Sequence, residues 1–263
     1  MADDQTKSSN VYVRIKPLGR KFIIYEKVPF YRYVELIIAE FTGTFILLFL
    51  SSLADGVLSN ILEVTFAVAL SISVSVECVS HISGSHINPA VSLGAFLAGY
   101  LSLIHLCIYM ISQLLGSIAG HATALAIVSK EMQEAFFNEK SVGIFTLKKR
   151  GSLEDWQVCI CEYILTFLIV IVCTAVWDWR NRKIDSLGIR FGFLIAVLIL
   201  AGGDVSGAGL NPARAIGPSI NNGEFLSYHW VYYVGPFMAG ITGGLLYRIV
   251  FQTPEPGYDD VDG

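Results

Sequence analysis

The sequence predicts an all-α membrane protein with six transmembrane helices, two half-helices and an inverted repeat. Hydrophobic residues make up 54% of the 263 positions and charged residues 15%, whereas a soluble domain carries about 25% charged residues. Six apolar stretches approach the roughly 20 residues that a helix needs to cross a bilayer. The tripeptide Asn-Pro-Ala also occurs twice, 123 residues apart, each time after a long apolar run.

The predicted spans follow the six apolar runs in chain order. The second and fifth runs lie near the lower limit of length for a spanning helix. The predicted spans are Tyr33–Leu53, Val64–Val79, Leu101–Val128, Trp156–Trp177, Leu187–Gly202 and Tyr228–Phe251.

Two shorter helices, Pro89–Ala98 and Pro212–Ile220, are predicted after the second and fifth spans. Each begins with proline, which is tolerated at the first helical position because that N–H has no partner within the helix. Each follows an asparagine, Asn88 or Asn211, which is a favoured N-cap residue. Neither segment is long enough to cross a bilayer, so we expect each to enter the membrane only partway.

The duplication extends beyond the two tripeptides. Glu40 in the first span matches Glu162 in the fourth, 122 residues later. A glycine pair in the third span, Gly116 and Gly120, has a counterpart in the sixth span 124 residues later. Three spans and a half-span per repeat give the two repeats opposite orientations in the membrane, which places a permeation site near the bilayer midplane.

These patterns divide the chain into a channel domain and two tails. We expect a cytoplasmic N-terminal segment at 1–32, a channel domain at 33–251 with repeats at 33–128 and 156–251 and an external loop at 129–155, and an acidic cytoplasmic tail at 252–263.

Basic residues predict the orientation, because cytoplasmic loops carry an excess of lysine and arginine. They are concentrated in the N-terminal segment and between the fourth and fifth spans, whereas the 129–155 loop mixes basic and acidic residues. We therefore expect a multi-pass protein of the plasma membrane with both termini in the cytoplasm.

The two half-helices predict how a pore would select its solutes. If they meet tip to tip, each N-terminus contributes about half a positive charge, and the amides of Asn88 and Asn211 add hydrogen-bond donors. Neutral molecules would pass, whereas protons and cations would be repelled.

With these residues in view, the chain resembles the aquaporin, or major intrinsic protein, family over about residues 33–251. The resemblance is carried by the two tripeptides, Asn88-Pro89-Ala90 and Asn211-Pro212-Ala213, by Glu40 and Glu162, and by Arg214 directly after the second tripeptide. It implies a six-span hourglass fold, a pore in each subunit and a homotetramer.

The resemblance also implies roles for charged residues inside the membrane, which are functional by default. Glu40 and Glu162 would hold the backbone amides of the loops beside each Asn-Pro-Ala turn. His86 would support the first loop or face the pore. Arg214 would belong to a narrow selectivity filter near the outer mouth.

An ungapped comparison with the family completes this filter with Val68, Ile199 and Ala208. Water-specific members usually carry an aromatic residue at the position of Val68 and histidine at that of Ile199. Many carry a mercury-sensitive cysteine at the position of Ala208, so we expect insensitivity there. The filter would be wider and more apolar, as in the insect branch of the family that conducts glycerol. However, Ala215 stands where ordinary glycerol channels have aspartate.

The remaining residues indicate neither an enzyme nor a cofactor. No pairing of a nucleophile with a base stands out, the five cysteines lack the spacing of a zinc site, and no basic patch suggests a nucleic-acid partner. We expect a passive channel in the lipid bilayer for water and small uncharged solutes such as glycerol and urea. The alternatives are a strictly water-selective channel, an adhesion or junction protein with a vestigial pore, and an ion-coupled transporter.

Overall fold

A computed structural model describes residues 28–253, apart from residues 59, 150 and 182–185. The described residues form helices and connecting loops, and none of them lies in a strand. The α-helices are α1 (Phe30–Val57), α2 (Ile61–Ser83), α3 (Pro89–Leu97), α4 (Leu103–Ile127), α5 (Lys130–Lys140), α6 (Asp155–Trp177), α7 (Leu187–Ser206), α8 (Pro212–Asn222) and α9 (Val231–Leu246). A 3-10 turn, Trp179–Asn181, follows α6, and α9 continues into a π-helical turn, Tyr247–Phe251.

The predicted spans and both half-helices are confirmed. Helices α1, α2, α4, α6, α7 and α9 are long and apolar enough to cross a membrane. Their ends, and those of α3 and α8, lie within five residues of the predicted ends, close to the usual uncertainty of a boundary taken from sequence. The largest difference is at the end of α9, where the π-helical turn continues to the predicted residue Phe251.

The 129–155 loop contains a helix, α5, that the sequence analysis did not predict. The hydroxyl of Ser129 caps its N-terminus by accepting a hydrogen bond from the backbone N–H of Met132 at 3.2 Å. The helix ends at Lys140, before Ser141 adopts a left-handed conformation with φ of 58°. The sequence analysis treats residues 129–155 as loop throughout, although a serine cap is a recognised sign of a helix start.

Each half-helix packs mainly against a helix of the other repeat. Helix α3 lies against α9, and α8 lies against α4. Within each repeat α1 packs on α2 and α4, and α6 packs on α7 and α9, while α2 and α7 join the two halves. The two half-helices are therefore held in the middle of the bundle by both repeats.

Glycines permit the closest of these contacts, as predicted for small residues between membrane helices. A Cβ atom on Gly120 would lie 2.5 Å from the carbonyl oxygen of Phe45 in α1, and one on Gly240 would lie 2.5 Å from that of Ala90 in α3.

The glycine pairs of the third and sixth spans do not occupy equivalent positions in the two repeats. The residue 123 positions before Gly240 is Ser117, which donates a hydrogen bond to a backbone carbonyl of α8 at 2.5 Å. The predicted equivalence of the two glycine pairs is therefore wrong, because they contact different helices.

Several residues used to predict orientation lie outside the described residues. They include the basic residues of the N-terminal segment up to Lys27, the acidic tail, and Arg150, Arg182 and Lys183.

Candidate pore and filter

The two half-helices meet at their N-termini through crossed hydrogen bonds. The amide nitrogen of Asn88 donates to the carbonyl oxygen of Leu210 at 2.9 Å, and that of Asn211 donates to the carbonyl oxygen of Ile87 at 2.8 Å. Each asparagine also caps its own helix by accepting a hydrogen bond from a backbone N–H two residues later, at 2.9 Å in both cases. The Asn-Pro-Ala turns of the two repeats are thus bound to each other.

One hydrogen of each asparagine amide remains for a molecule in the pore. An amide nitrogen carries two hydrogens, and the crossed bond uses one of them. Among the described residues no second acceptor is recorded for Asn88 or Asn211, and both side chains line the same cavity. A water or hydroxyl between them could accept two hydrogen bonds while facing the positive ends of two helices.

The carboxylate of Glu40 binds the loop that precedes α3. It accepts hydrogen bonds from the backbone N–H groups of His86 at 3.0 Å and Ile87 at 2.8 Å. The hydroxyl of Ser83 donates to it at 2.6 Å, and the side-chain amide of Gln113 donates at 2.8 Å. These four donors account for both oxygens of a side chain that is fully buried.

Glu162 binds the second loop in the same way. It accepts hydrogen bonds from the backbone N–H groups of Gly209 at 2.8 Å and Leu210 at 2.6 Å, and it is also fully buried. Ile87 and Leu210 both have positive φ angles, 43° and 58°, which are unusual for bulky residues. The two carboxylates therefore hold strained loop backbone at the positions where the crossed bonds accept.

A single cavity runs past the two asparagines. Its volume for the centres of water-sized molecules is about 90 Å³, enough for about six waters at roughly 15 Å³ each. Val68 and Ser80 both line it from α2, and Leu187 and Ile199 both line it from α7. Each pair is separated by twelve residues, so the cavity extends about 18 Å along both helices.

The structure brings the four predicted filter residues together on the wall of this cavity. Val68, Ile199, Ala208 and Arg214 come from α2, α7, the second loop and α8. Together they present one charged hydrogen-bond donor and three apolar side chains to the cavity.

Arg214 is held by a residue that the sequence analysis missed. Its guanidinium donates a hydrogen bond to the carbonyl oxygen of Phe145 at 2.6 Å and lies 3.3 Å from the centre of the Phe145 ring. The backbone N–H of Phe145 in turn donates to the carboxylate of Asp55 at 2.8 Å. Phe145 also lines the cavity, so the 129–155 loop contributes a wall residue beside Arg214.

His86 comes from the loop before α3 and also lines the cavity. The residue is 3% exposed, and its ring stacks on that of Trp177 with ring centres 4.6 Å apart. Its Nδ1 atom lies 3.2 Å from the hydroxyl of Ser92, and no partner for Nε2 is recorded among the described residues. His86 therefore both supports the loop through its backbone N–H and lines the pore with its side chain.

The titratable residues that the structure describes do not form a metal site. Among the described residues, no group of three or more histidine, cysteine, aspartate or glutamate side chains is placed to hold a metal ion. Cys173 lines the cavity, and the other four cysteines do not.

Comparison with known proteins gives matches over most of the chain. The family model described as Major intrinsic protein matches residues 25–247. The lens fiber major intrinsic protein of Homo sapiens is 36% identical over 217 residues, covering 80% of this chain and 79% of that protein. Aquaporin-8 of Mus musculus is 34% identical over 223 residues, covering 83% of each chain. The X-ray structure of the aquaglyceroporin from Plasmodium falciparum superposes with a TM-score of 0.72 at 25% identity, covering 83% of this chain and 96% of that one.

Proposed function

The chain belongs to the major intrinsic protein family, and from this premise we propose that it conducts glycerol and urea as well as water and excludes protons and ions. Members of this family are channels and not enzymes, so the chain is a passive membrane channel for water. The solute range and the exclusion of ions are the parts that we add.

The observation that carries the solute range is the composition of the filter ring. Val68 and Ile199 offer methyl groups to the pore, and Ala208 occupies little of it. Arg214 supplies hydrogen-bond donors on one side. A polyol has carbon atoms on one face and hydroxyls on the other, so this ring can contact its carbons while the guanidinium binds its oxygens.

The central asparagines support the exclusion of ions. A cation there would meet the positive ends of α3 and α8 together with two amide donors, and the described pore wall offers it no carboxylate. A proton moving along a chain of waters needs each water to donate as well as accept. A water that accepts from both Asn88 and Asn211 is oriented against that relay.

We propose the same site residues as the resemblance implies. Asn88, Pro89 and Ala90 with Asn211, Pro212 and Ala213 would form the central barrier. Val68, Ile199, Ala208 and Arg214 would form the filter, and Glu40, Glu162 and His86 would hold the loops. The hydrogen bonds of the two carboxylates support the last of these roles.

The assembly and the membrane are further proposals. We propose a homotetramer in the plasma membrane with both termini in the cytoplasm and residues 33–251 as the channel domain. The basic residues Arg180 and Arg190 beside the turn between α6 and α7 support that orientation, because positive loops face the cytoplasm.

A solute panel in proteoliposomes tests the proposed function. Vesicles containing the purified protein should shrink in hyperosmotic medium faster than empty vesicles, and then swell again as glycerol or urea enters. An internal pH dye should show no proton leak above that of empty vesicles. Water flux without glycerol or urea flux would indicate the strictly water-selective alternative.

A double substitution tests the filter itself. Replacing Val68 by Phe and Ile199 by His restores the two side chains usual in water-specific members, so glycerol flux should fall while water flux remains. The replacement Ile195→His, one turn away on the same helix and also on the cavity wall, is the matched control. Unchanged glycerol flux in the double variant would show that these residues do not form the filter.

A further inference from the structure

We propose that a second, aromatic ring at the other end of the pore sets the upper size limit for solutes. We call this end the inner mouth and define it by His86, Trp177 and Phe191, which all line the cavity. Phe191 lies eight residues before Ile199 on α7, so it is about 12 Å from Ile199 along the helix. This inference rests on the proposed function, because it assumes that molecules larger than water enter the pore.

The repeat places a counterpart of the filter at the inner mouth. Counting 123 residues between the repeats, Val68 corresponds to Phe191 and Ile199 corresponds to Val76. The counterparts of Ala208 and Arg214 are Ser85 and Val91. All four counterparts line the same cavity.

The filter and its counterpart at the inner mouth have their large side chains at different positions. The filter has valine at a position where its counterpart, Phe191, is aromatic, and it has Arg214 where the counterpart is the smaller Val91. A polyol that passes the apolar side of the filter therefore meets a phenyl ring on the equivalent wall of the inner mouth.

Trp177 adds the largest side chain at this end. Its indole packs on the imidazole of His86 with ring centres 4.6 Å apart and 27° between the planes. The edge of Tyr100 contacts it from another side, with ring centres 5.9 Å apart. The two stacked rings leave no space between them, so a solute cannot pass between the indole and the imidazole.

A hydrogen-bonded turn fixes Trp177 in this position. The carboxylate of the next residue, Asp178, accepts hydrogen bonds from Arg180 Nε at 2.8 Å and Nη2 at 2.7 Å, and from the hydroxyl of Tyr247 at 3.0 Å. Arg180 also donates to the carbonyl oxygen of Phe251 at 2.6 Å. The end of α6 is thus tied to the end of α9, which limits how far the indole can move aside.

The test measures two permeabilities in the same proteoliposomes: that of glycerol and that of erythritol, which is one carbon longer. Their ratio does not depend on how much protein each preparation contains. Trp177→Ala and Phe191→Val should each raise the ratio of erythritol to glycerol permeability by about tenfold, which corresponds to lowering one barrier by about 1.4 kcal/mol. Water permeability should change much less, since water already fits.

Two further variants separate the loss of bulk from structural damage. Trp177→Phe leaves a smaller aromatic ring at this position, so its ratio should lie between those of the wild type and Trp177→Ala. Trp179→Phe removes the hydrogen bond from the indole to the carbonyl oxygen of Thr253 at 3.1 Å, but Trp179 does not line the cavity. It should retain the wild-type ratio.

The outcomes separate this inference from the proposed function. Suppose that the wild-type protein conducts water and glycerol, but the permeability ratio is unchanged in Trp177→Ala and Phe191→Val. That result would refute the size limit at the inner mouth and leave the proposed function standing. Wild-type vesicles that conduct water but no glycerol would overturn the proposed solute range and the inference with it. If Trp177→Ala does not fold, Phe191→Val decides the question alone.

Discussion

Replacing Glu162 by Gln tests whether this carboxylate holds the second loop. The carboxylate accepts hydrogen bonds from Gly209 and Leu210 at 2.8 and 2.6 Å in a fully buried site. Glutamine replaces one of its oxygens with an NH₂ group, which cannot accept. One backbone N–H then faces another donor, and the remaining bond loses its charge assistance.

The expected cost follows from these contacts. Losing one hydrogen bond to a charged group costs about 1.5–3 kcal/mol of unfolding free energy. For a domain of this size that loss lowers the melting midpoint by about 3–12 °C. The loop also contains two residues other than glycine with positive φ, Ala208 at 48° and Leu210 at 58°. When the anchor weakens, this strain favours relaxation of the loop, so water permeability should fall as well.

The assay is thermal unfolding of the detergent-solubilised protein, followed by tryptophan fluorescence, together with water flux in proteoliposomes. Glu139→Gln is the matched control, because the side chain of Glu139 is 66% exposed and makes a surface ion pair with Lys140, a kind of contact that contributes little. Equal melting midpoints and equal water flux in the two variants would refute the anchoring role. A loss of proton flux without loss of stability would instead indicate a proton relay.

Three further changes have defined outcomes. Arg214→Val should weaken cation exclusion, which would be measured as a proton or sodium leak in vesicles that still conduct water. An unchanged leak would show that the half-helices alone exclude cations. A small mercurial should reduce water flux in the wild-type protein and not in Cys173→Ser, because Cys173 lines the cavity. Equal inhibition of both proteins would show that the reactive thiol is another cysteine. Burial lowers the pKa of His229 below its ordinary value of 6.5, so its contribution to stability is present above about pH 6.5 and declines as the pH falls. The melting midpoint should therefore fall with acidification less steeply in His229→Gln than in the wild-type protein, and parallel curves would contradict this.

Most of the fold follows from local sequence. The spans are long apolar runs, and the half-helices are identified by Asn88 and Asn211, each of which supplies a cap directly before a proline. These signals act over a few residues, so the sequence alone predicts them. Helix α5 has an equally local signal in its N-cap residue Ser129, which the sequence analysis did not use.

The wall of the pore is predicted less completely, because much of it depends on contacts between distant residues. Phe145 lies 69 residues before Arg214 and 90 residues after Asp55, and no motif around it indicates that it contacts either. Trp177 ends an ordinary apolar span, and only the folded chain places it against His86. The resemblance supplied the four predicted filter positions, whereas the contact of Arg214 with Phe145 and the stacking of Trp177 required the structure.

The crossed asparagine bonds explain why the pore requires both repeats. The carbonyl oxygen of Ile87 belongs to a loop of the first repeat but accepts from Asn211, and that of Leu210 belongs to the second repeat but accepts from Asn88. Both residues have strained backbones, and leaving a buried polar group without its hydrogen-bond partner costs about 1–3 kcal/mol. One repeat alone would therefore leave its own loop strained and unsatisfied. Each repeat supplies the carbonyl oxygen that accepts from the asparagine of the other repeat. The hydrogen bonds at the centre of the pore therefore form only when both repeats are present.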